Sequence, residues 1–408
     1  MSVHYAPHLT SHPRVLHKHA HLITGAYPTL ASNRLIGFVA SSLIGIFLPI
    51  FLYEFFGMSL NAVLLWFGIN FLVKTPFFVP AAKLFSRIGL IRSMMIGTVG
   101  LALAYLMFFL LDHGTPMNPY LLMGIAVFGF GLTSTLYWSP FHIDFAKFSS
   151  KKHRGVQVGM FYATQRLFSV VAPIIAAFLI AHFGYYASFL GGMLLTLASI
   201  LPLFFLPSYQ VHYEFGFWET FQKLFSKKFR AMSLSMMALG AEDIVGTVVW
   251  PVFLFSVFQG NYLKVGAVTA VIVVIAFLLE YIVGKDTDTF SPRKMLKIGS
   301  WVYAFGWISK GFVDTILGVF AASTFHSFGS IMMRTPLDTL SYQQAADSGH
   351  YIDEYTVLRE MALNIGRVLI LFVLIPITTT FSITSSFLLA AFVSLGVNWL
   401  VNYHARTN

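Results

Sequence analysis

The chain has no cysteine among its 408 residues, and charged residues make up only 10% of it. The first absence excludes disulfide frameworks, thiolate metal centres and cysteine nucleophiles. The second excludes an ordinary soluble globule, in which about a quarter of the residues are charged. No Gly-rich phosphate loop followed by Lys-Ser or Lys-Thr occurs, nor His-Glu-x-x-His, nor Gly-x-Ser-x-Gly. Direct use of ATP and the common hydrolase chemistries are therefore not read here. No enzyme activity is expected, and no cofactor or resident metal. The first 32 residues also lack the apolar core of a secretory signal, so the first apolar segment is expected to be retained.

What is abundant is apolar sequence, 57% of the chain, with aromatics at 17% and a mean hydropathy of +0.74. It comes in long runs separated by short polar islands. A bilayer core of about 30 Å needs roughly 20 helical residues to cross it. Runs of that length are read at 34–53, 60–82, 91–111, 119–143, 157–181 and 184–206, then at 233–258, 264–284, 296–313, 315–337, 356–378 and 383–403. The formal charge of +10 would suit nucleic acid, but the basic residues sit in small clusters at alternate gaps, which is the pattern of membrane loops. Lys83, Arg87 and Arg92, then Lys147, Lys151, Lys152 and Arg154, then Lys223 to Arg230, then Lys285 to Lys297 all fall on one side. By the positive-inside rule both termini are expected in the cytoplasm. The fold class is thus an all-α membrane protein with twelve transmembrane helices in two pseudo-symmetric six-helix bundles, monomeric and surrounded by lipid. Its expected parts are a His-rich tail (1–32), a first bundle (33–206), a linker (207–230), a second bundle (231–403) and a short tail (404–408).

The gaps after the second and eighth runs carry related segments, Ala81–Ser93 and Gly284–Lys294. On these the chain resembles the major facilitator superfamily, whose loop between helices 2 and 3 reads Gly-x-x-x-Asp-Arg-x-Gly-Arg-Arg. Ala82, Ser86, Arg87 and Gly89 occupy the matching places. Ser86 stands where the family has its acid, which weakens the charge lock the family makes there. Leu90 and Ile91 replace the basic pair, with Arg92 one place beyond. The second copy keeps Gly284 and Asp288, with Arg293 and Lys294 displaced, and Arg154–Gly159 also looks like the family. The resemblance implies two bundles that rock about a central site, and it is silent on cargo.

Ionisable groups inside a span are costly, about 2.5–3.5 kcal/mol each on insertion scales, and so point to a pathway. Arg166 and Arg367 stand near the middle of corresponding helices in the two halves. Two planar guanidinium forks, one per half, suit a carboxylate or phosphate. The alternative is that each pairs with an acid, as Arg367 would with Glu360. Lys74, Gln165, Tyr137, Trp250, His326 and Asn364 complete the candidate substrate site. Glu242 and Asp243 point about 100° apart on one helix. Either carries a coupling proton, or the two form salt bridges to Lys74 or Arg166. His326 titrates or hydrogen-bonds Ser323 or Ser327. The polar segment 137–155 contains Pro140, His142 and Asp144, which with Arg87 and Asp288 are candidate gate residues. Asp144 would equally neutralise Arg87 or Arg92. Trp138 and Trp307 are further candidates for lining a cavity. The tail histidines, His17, His19 and His21 among them, are read either as a metal-capturing tract or as a segment lying near anionic headgroups.

The leading expectation is a secondary transporter for a small organic anion, working by alternating access with a proton as coupling ion. The rivals are a lipid or amphiphile translocase, a divalent-metal exporter using His142, Asp144, Glu242, Asp243 and His326, and a membrane scaffold that carries nothing.

Overall fold

A computed structural model describes residues 29–148, 154–207, 211–286 and 291–403. The His-rich tail and Asp288 lie outside the described residues, as does the side chain of Arg166. Among the described residues there is no β-strand. Helices α1 (Thr29–Phe55), α2 (Leu60–Ile88), α3 (Leu90–His113) and α4 (Pro119–Lys147) run back and forth. α5 follows in two pieces, Arg154–Ser169 and Ala172–Phe183, and α6 is Tyr185–Phe205. After a short linker helix (Phe217–Leu224) come α7 (Arg230–Val257), α8 (Tyr262–Asp286) and α9 (Pro292–Lys310). α10 (Ile316–Asp347), α11 (Ile352–Thr380) and α12 (Ser385–Val401) complete the chain.

Nine of these are long and apolar enough to cross a bilayer among the described residues. The other three stand where the remaining runs were read, and each falls short for a visible reason. α5 is interrupted at Val170 and Val171, just before Pro173, which has no N–H to continue the ladder. α9 carries Arg293, Lys294, Lys297 and Lys310 at its ends. α12 is short and tightens into a 3-10 turn at Leu395–Asn398 before its last residues. Outward-facing Phe204, Phe205, Phe312 and Phe392 are 68 to 82% exposed. Such a girdle would aggregate in water and is at home in hydrocarbon. The protein is an integral, multi-pass membrane protein.

Local sequence sets the helix ends. Ser59, Asn118 and Thr315 accept a hydrogen bond from the backbone N–H of Ala62, Tyr120 and Gly318 respectively, capping α2, α4 and α10. Pro140 and Pro251 each follow a widened π-helical turn, Ser134–Trp138 in α4 and Val245–Val249 in α7. The extra residue in each turn absorbs the bond that proline cannot make.

α10 continues to Asp347, ten residues past the expected end at 337, and α11 begins at Ile352 rather than 356. In sequence the polar stretch between resembles a solvated loop. Its side chains are instead spent inside the protein, with Asp338, Ser341, Asp353 and Glu354 all buried.

Across the halves, α2 packs on α11 and α5 on α8. Within the second half, α7 and α11 meet backbone to backbone. Gly240 lies against the Leu363 carbonyl, and Gly366 against that of Met237. Neither position has space for a Cβ. Gly366→Val is therefore expected to cost about 1–3 kcal/mol of stability, read as a lower thermal midpoint in detergent. Gly124→Ala, where a Cβ would meet nothing within 4 Å, is the control that should leave the midpoint in place.

Candidate functional site

Two cavities meet at the centre of the molecule. The larger, about 600 Å³, lies among α1, α5, α7, α8, α9 and α10. Its lining comes from the parts of these helices far from the basic loops, such as Ile46, Pro173, Thr247 and Lys310. The smaller, about 250 Å³, lies toward the basic end and is lined by Trp138, His142, Asp338, Arg359 and Glu360. Tyr162, Asp243 and Arg334 line both and so form the partition between them. The larger volume suits a small organic molecule.

The partition is a charge network. Glu242, 1% exposed, accepts hydrogen bonds from Tyr303 Oη (2.5 Å), Trp307 Nε1 (3.1 Å) and Arg334 Nη2 (2.9 Å). Asp243, the next residue, takes Nη2 of Arg367 at 2.7 Å and its Nε at 3.2 Å, with Arg334 at 3.7 Å on its other oxygen. Both acids thus pair with arginines of their own bundle, and neither is within ion-pair distance of Lys74, the first partner expected; the side chain of Arg166, the second, lies outside the described residues. Arg334, toward a helix end by the sequence reading, is central because α10 is longer than its apolar run. Arg367 does not reach Glu360, two turns down its own helix. Asp243 lies closer to it because the α7–α11 glycine contact draws the two helices together. Glu360 pairs instead with Arg359 (2.5 Å), whose Nη2 also holds Asp338 at 2.8 Å.

The other candidates have defined places. Lys74 is buried, donates to Ser134 Oγ at 3.0 Å and lies over the Phe71 ring. Gln165 and His326 line the larger cavity. His326 packs between the rings of Tyr303 and Trp307, and its Nε2 is buried with no hydrogen-bond partner among the described residues. Neither Ser323 nor Ser327 is bonded to that nitrogen. Asn364 lines the smaller cavity and donates to the Phe71 carbonyl (2.7 Å) and Thr75 Oγ1 (2.5 Å), tying α11 to α2. Tyr137 is directed into its own bundle, donating to Asn33 Oδ1. Trp250 packs on Lys310.

At the basic end the bundles are joined by polar contacts. His142 Nδ1 meets Tyr342 Oη at 2.6 Å and its Nε2 lies 3.5 Å from Glu360. Tyr162 donates to Asp338 Oδ2 (2.5 Å), and Lys147 stands 3.5 Å from Asp353. Asp144 is fully buried and neither oxygen has a hydrogen-bond partner among the described residues. Arg87 and Arg92 are exposed and do not neutralise it, which corrects that alternative. Gly89 takes φ +90°, a conformation that explains its place in the loop motif. Ser86, in the place of the family's acid, accepts the backbone N–H of Tyr213 at 3.2 Å, while Glu354 accepts that of Glu214 at 2.7 Å. The linker is thereby strapped across both bundles. At the opposite end Glu54 accepts the hydroxyls of Tyr185 and Tyr262, and Thr378 donates to Asn61.

Sequence reasoning missed Tyr162, Tyr303, Asp338, Tyr342 and Lys310, and it missed Arg34, which lies over the Trp138 ring at 4.4 Å. In one dimension Asp338 and Tyr342 resemble loop residues, Lys310 falls at the end of a run, and Arg34 at the edge of the first span. Among the described residues no group of three His, Cys, Asp or Glu is placed to hold a metal ion. The metal-ligand candidates are dispersed, and Glu242 and Asp243 are occupied by arginine. All four carboxylates on the two cavities, Glu242, Asp243, Asp338 and Glu360, have an arginine partner. Arg34, Lys74 and Lys310 have no carboxylate within ion-pair distance among the described residues. The described centre is therefore short of anions.

A family model described as Major Facilitator Superfamily matches residues 30–352. Among solved structures, that of the human organic anion transporter MFSD10 (TETRAN) is similar, with a TM-score of 0.71 at 12% identity, over 93% of this chain and 99% of that one. At that identity the likeness is one of fold. No curated protein sequence matches significantly.

Removing Arg334 alone would strand a buried carboxylate. Arg334→Met is expected to cost roughly 3 kcal/mol, and adding Glu242→Gln should recover most of the loss. Thermal unfolding of the two single variants and the double variant in detergent measures this. Strictly additive losses would show that the pair is not coupled.

Proposed function

Because the chain belongs to the major facilitator superfamily, we propose that it is a secondary transporter that moves a small organic anion across the cytoplasmic membrane by alternating access. The observation that carries this reading is the central cavity pair, where, among the described residues, each lining acid has an arginine partner while Lys310 on the wall has no carboxylate, and Lys74 and Arg34, against the lining residues Ser134 and Trp138, have none either. An entering anion would supply the missing charge. The polar contacts that join the bundles at the basic end, which the distribution of Lys and Arg puts in the cytoplasm with both termini, close that side while the larger cavity extends toward the other. Each closing contact is a hydrogen bond or an ion pair of the kind worth about 1 kcal/mol, so the set can open without unfolding either bundle.

Arg166 and Arg367 remain the proposed anion clamp, with one condition that the geometry adds. Arg367 is held by Asp243, so it meets substrate only when Asp243 lets go. A proton on Asp243 or Glu242 would release Arg367 or Arg334, and this is the proposed route of proton coupling. His142 acts in the closing contacts of the basic end, and Asp144, Arg87 and Asp288 remain proposed gate residues on that side. A second reading, translocation of an amphiphile, is favoured by one feature. An apolar groove of about 190 Å³ between α2 and α4 is lined by Val73, Phe77 and Phe128, with Lys74 beside them.

Thermal stabilisation of the detergent-solubilised protein against organic anions, phosphates, amino acids, lipids and metals tests these readings, since a ligand bound only by the native state raises its stability. An organic anion should stabilise wild type, at 100 times its Kd by about 2.7 kcal/mol, and should leave Arg367→Met unshifted. Stabilisation by lipids alone would replace the anion reading with the amphiphile one.

The closing contacts make a separate prediction. Lys147→Met combined with Tyr162→Phe should raise the labelling rate of a cysteine placed in the smaller cavity, by roughly fivefold for each kcal/mol of closure lost. An unchanged rate would mean that these contacts do not hold the basic end shut.

A further inference from the structure

We propose that Lys310 anchors the acid group of the transported anion, and that the substrate is a monoanionic, largely apolar organic acid. The proposal rests on the transport reading above and goes further by naming the anchor and the substrate class. Lys310 ends α9, is 4% exposed and lines the larger cavity. Its Nζ lies 4.1 Å from the ring centroid of Trp250 and 4.4 Å from that of Trp307. Two indole faces attract an ammonium but accept no hydrogen bond from it in the plane of a lone pair. An ammonium buried without a carboxylate normally costs more than such contacts return. Glu242, which lines the same cavity, is no remedy, being committed to Tyr303, Trp307 and Arg334. A carboxylate brought in by a ligand would complete the coordination.

A second group points to the same place. His326 also lines this cavity, its ring packs on Trp307, and its buried Nε2 has no hydrogen-bond partner among the described residues. A carboxylate has two oxygens, and Lys310 with His326 offers one donor to each when the imidazole proton sits on Nε2. The remaining cation on the described wall of this cavity, Arg334, is bound to both Glu242 and Asp243. Among the described residues that leaves Lys310 to match a single negative charge. The rest of the wall includes Phe38, Ile46, Ile272 and Val273, with scattered hydroxyls such as Ser41 and Thr269. That surface suits an apolar body with few polar groups.

The test uses phenylalkanoic acids with two to six methylenes, their primary amides, and α,ω-dicarboxylates of matching length. Binding is read by thermal stabilisation in detergent and by counterflow in proteoliposomes. In wild type a monoacid should bind more tightly than its amide by roughly tenfold or more, as a charge-assisted contact requires, and more tightly than the diacid. Lys310→Met keeps the stem against the indoles and removes the charge, so it should erase the preference for acid over amide. Lys310→Arg should retain it. His326→Phe keeps the ring packing and should reduce the preference, which holds the assignment testable even where a Lys310 variant fails to fold. An undiminished preference in Lys310→Met or in His326→Phe overturns the anchor, and tighter binding of diacids overturns the single-charge class. If no organic anion of any kind stabilises wild type or is carried by it, the transport reading itself falls, and the anchor with it.

Discussion

Four charges on three helices, Glu242 and Asp243 on α7, Arg334 on α10 and Arg367 on α11, hold the centre of the second bundle together. Away from water, an unpaired carboxylate or guanidinium would cost several kcal/mol. The network removes that cost only while all of its members keep their places. It therefore fixes the rotation of α7, the depth of α10 and the approach of α11. The glycine pair between α7 and α11 serves the same arrangement from the backbone side, since a side chain at either position would push Asp243 and Arg367 apart. All four charges belong to the second bundle. Among the first bundle's central cations whose side chains are described, Arg34 and Lys74 settle for aromatic faces and the hydroxyl of Ser134.

That division separates two strengths of interaction. Inside the second bundle the bonds are buried or half-buried and charge-assisted. Between the bundles they are mostly single hydrogen bonds, such as Tyr162 to Asp338, His142 to Tyr342 and Asn364 to Thr75, with a partly exposed ion pair at Lys147 and Asp353. Two bodies that are firm within and lightly joined between are what rocking requires. The linker adds a tether that touches both bodies at backbone level through Ser86 and Glu354. A serine there holds a neutral bond where the family motif has an ionic one, so the strap is weaker than a charge lock and easier to release.

Much of this architecture could be read from the order of residues, because lipid leaves the backbone few options. With no water to satisfy N–H and C=O groups, a long apolar run must be a helix, and the alternation of basic clusters fixes which ends lie together. Polar side chains are where the reading ran out. Asp338, Ser341 and Tyr342 look like loop residues in one dimension, yet they form a buried continuation of α10 because their partners, Arg359 and His142, come from elsewhere in the chain. Glu242, Asp243 and Arg367 stand out in the sequence as intramembrane charges. Their pairing does not, since which acid meets which arginine depends on helix rotation and crossing, and no local spacing encodes either. Lys310 is hidden for a related reason. A lysine at the end of an apolar run usually snorkels to the interface, and only the tertiary placement of Trp250 and Trp307 turns it inward.

Charge pairing also orders the events of the proposed cycle. An anion cannot approach Arg367 or Arg334 closely while Glu242 and Asp243 are ionised against them, because two like charges in a medium of low dielectric repel strongly at contact distance. It can approach Lys310 without displacing an acid. The anchor at the far end of the larger cavity is therefore engaged first, and the partition residues afterwards, once a proton has replaced an arginine on one of the two acids. Arg334 is shared between Glu242 and Asp243, so neutralising either acid redistributes the other's hold on it. The partition then answers to ligand on one side and to the closing contacts of Tyr162 and Asp338 on the other, since Tyr162, Asp243 and Arg334 line both cavities. A single residue cluster in contact with both compartments is the shortest physical link by which filling one can loosen the seal of the other.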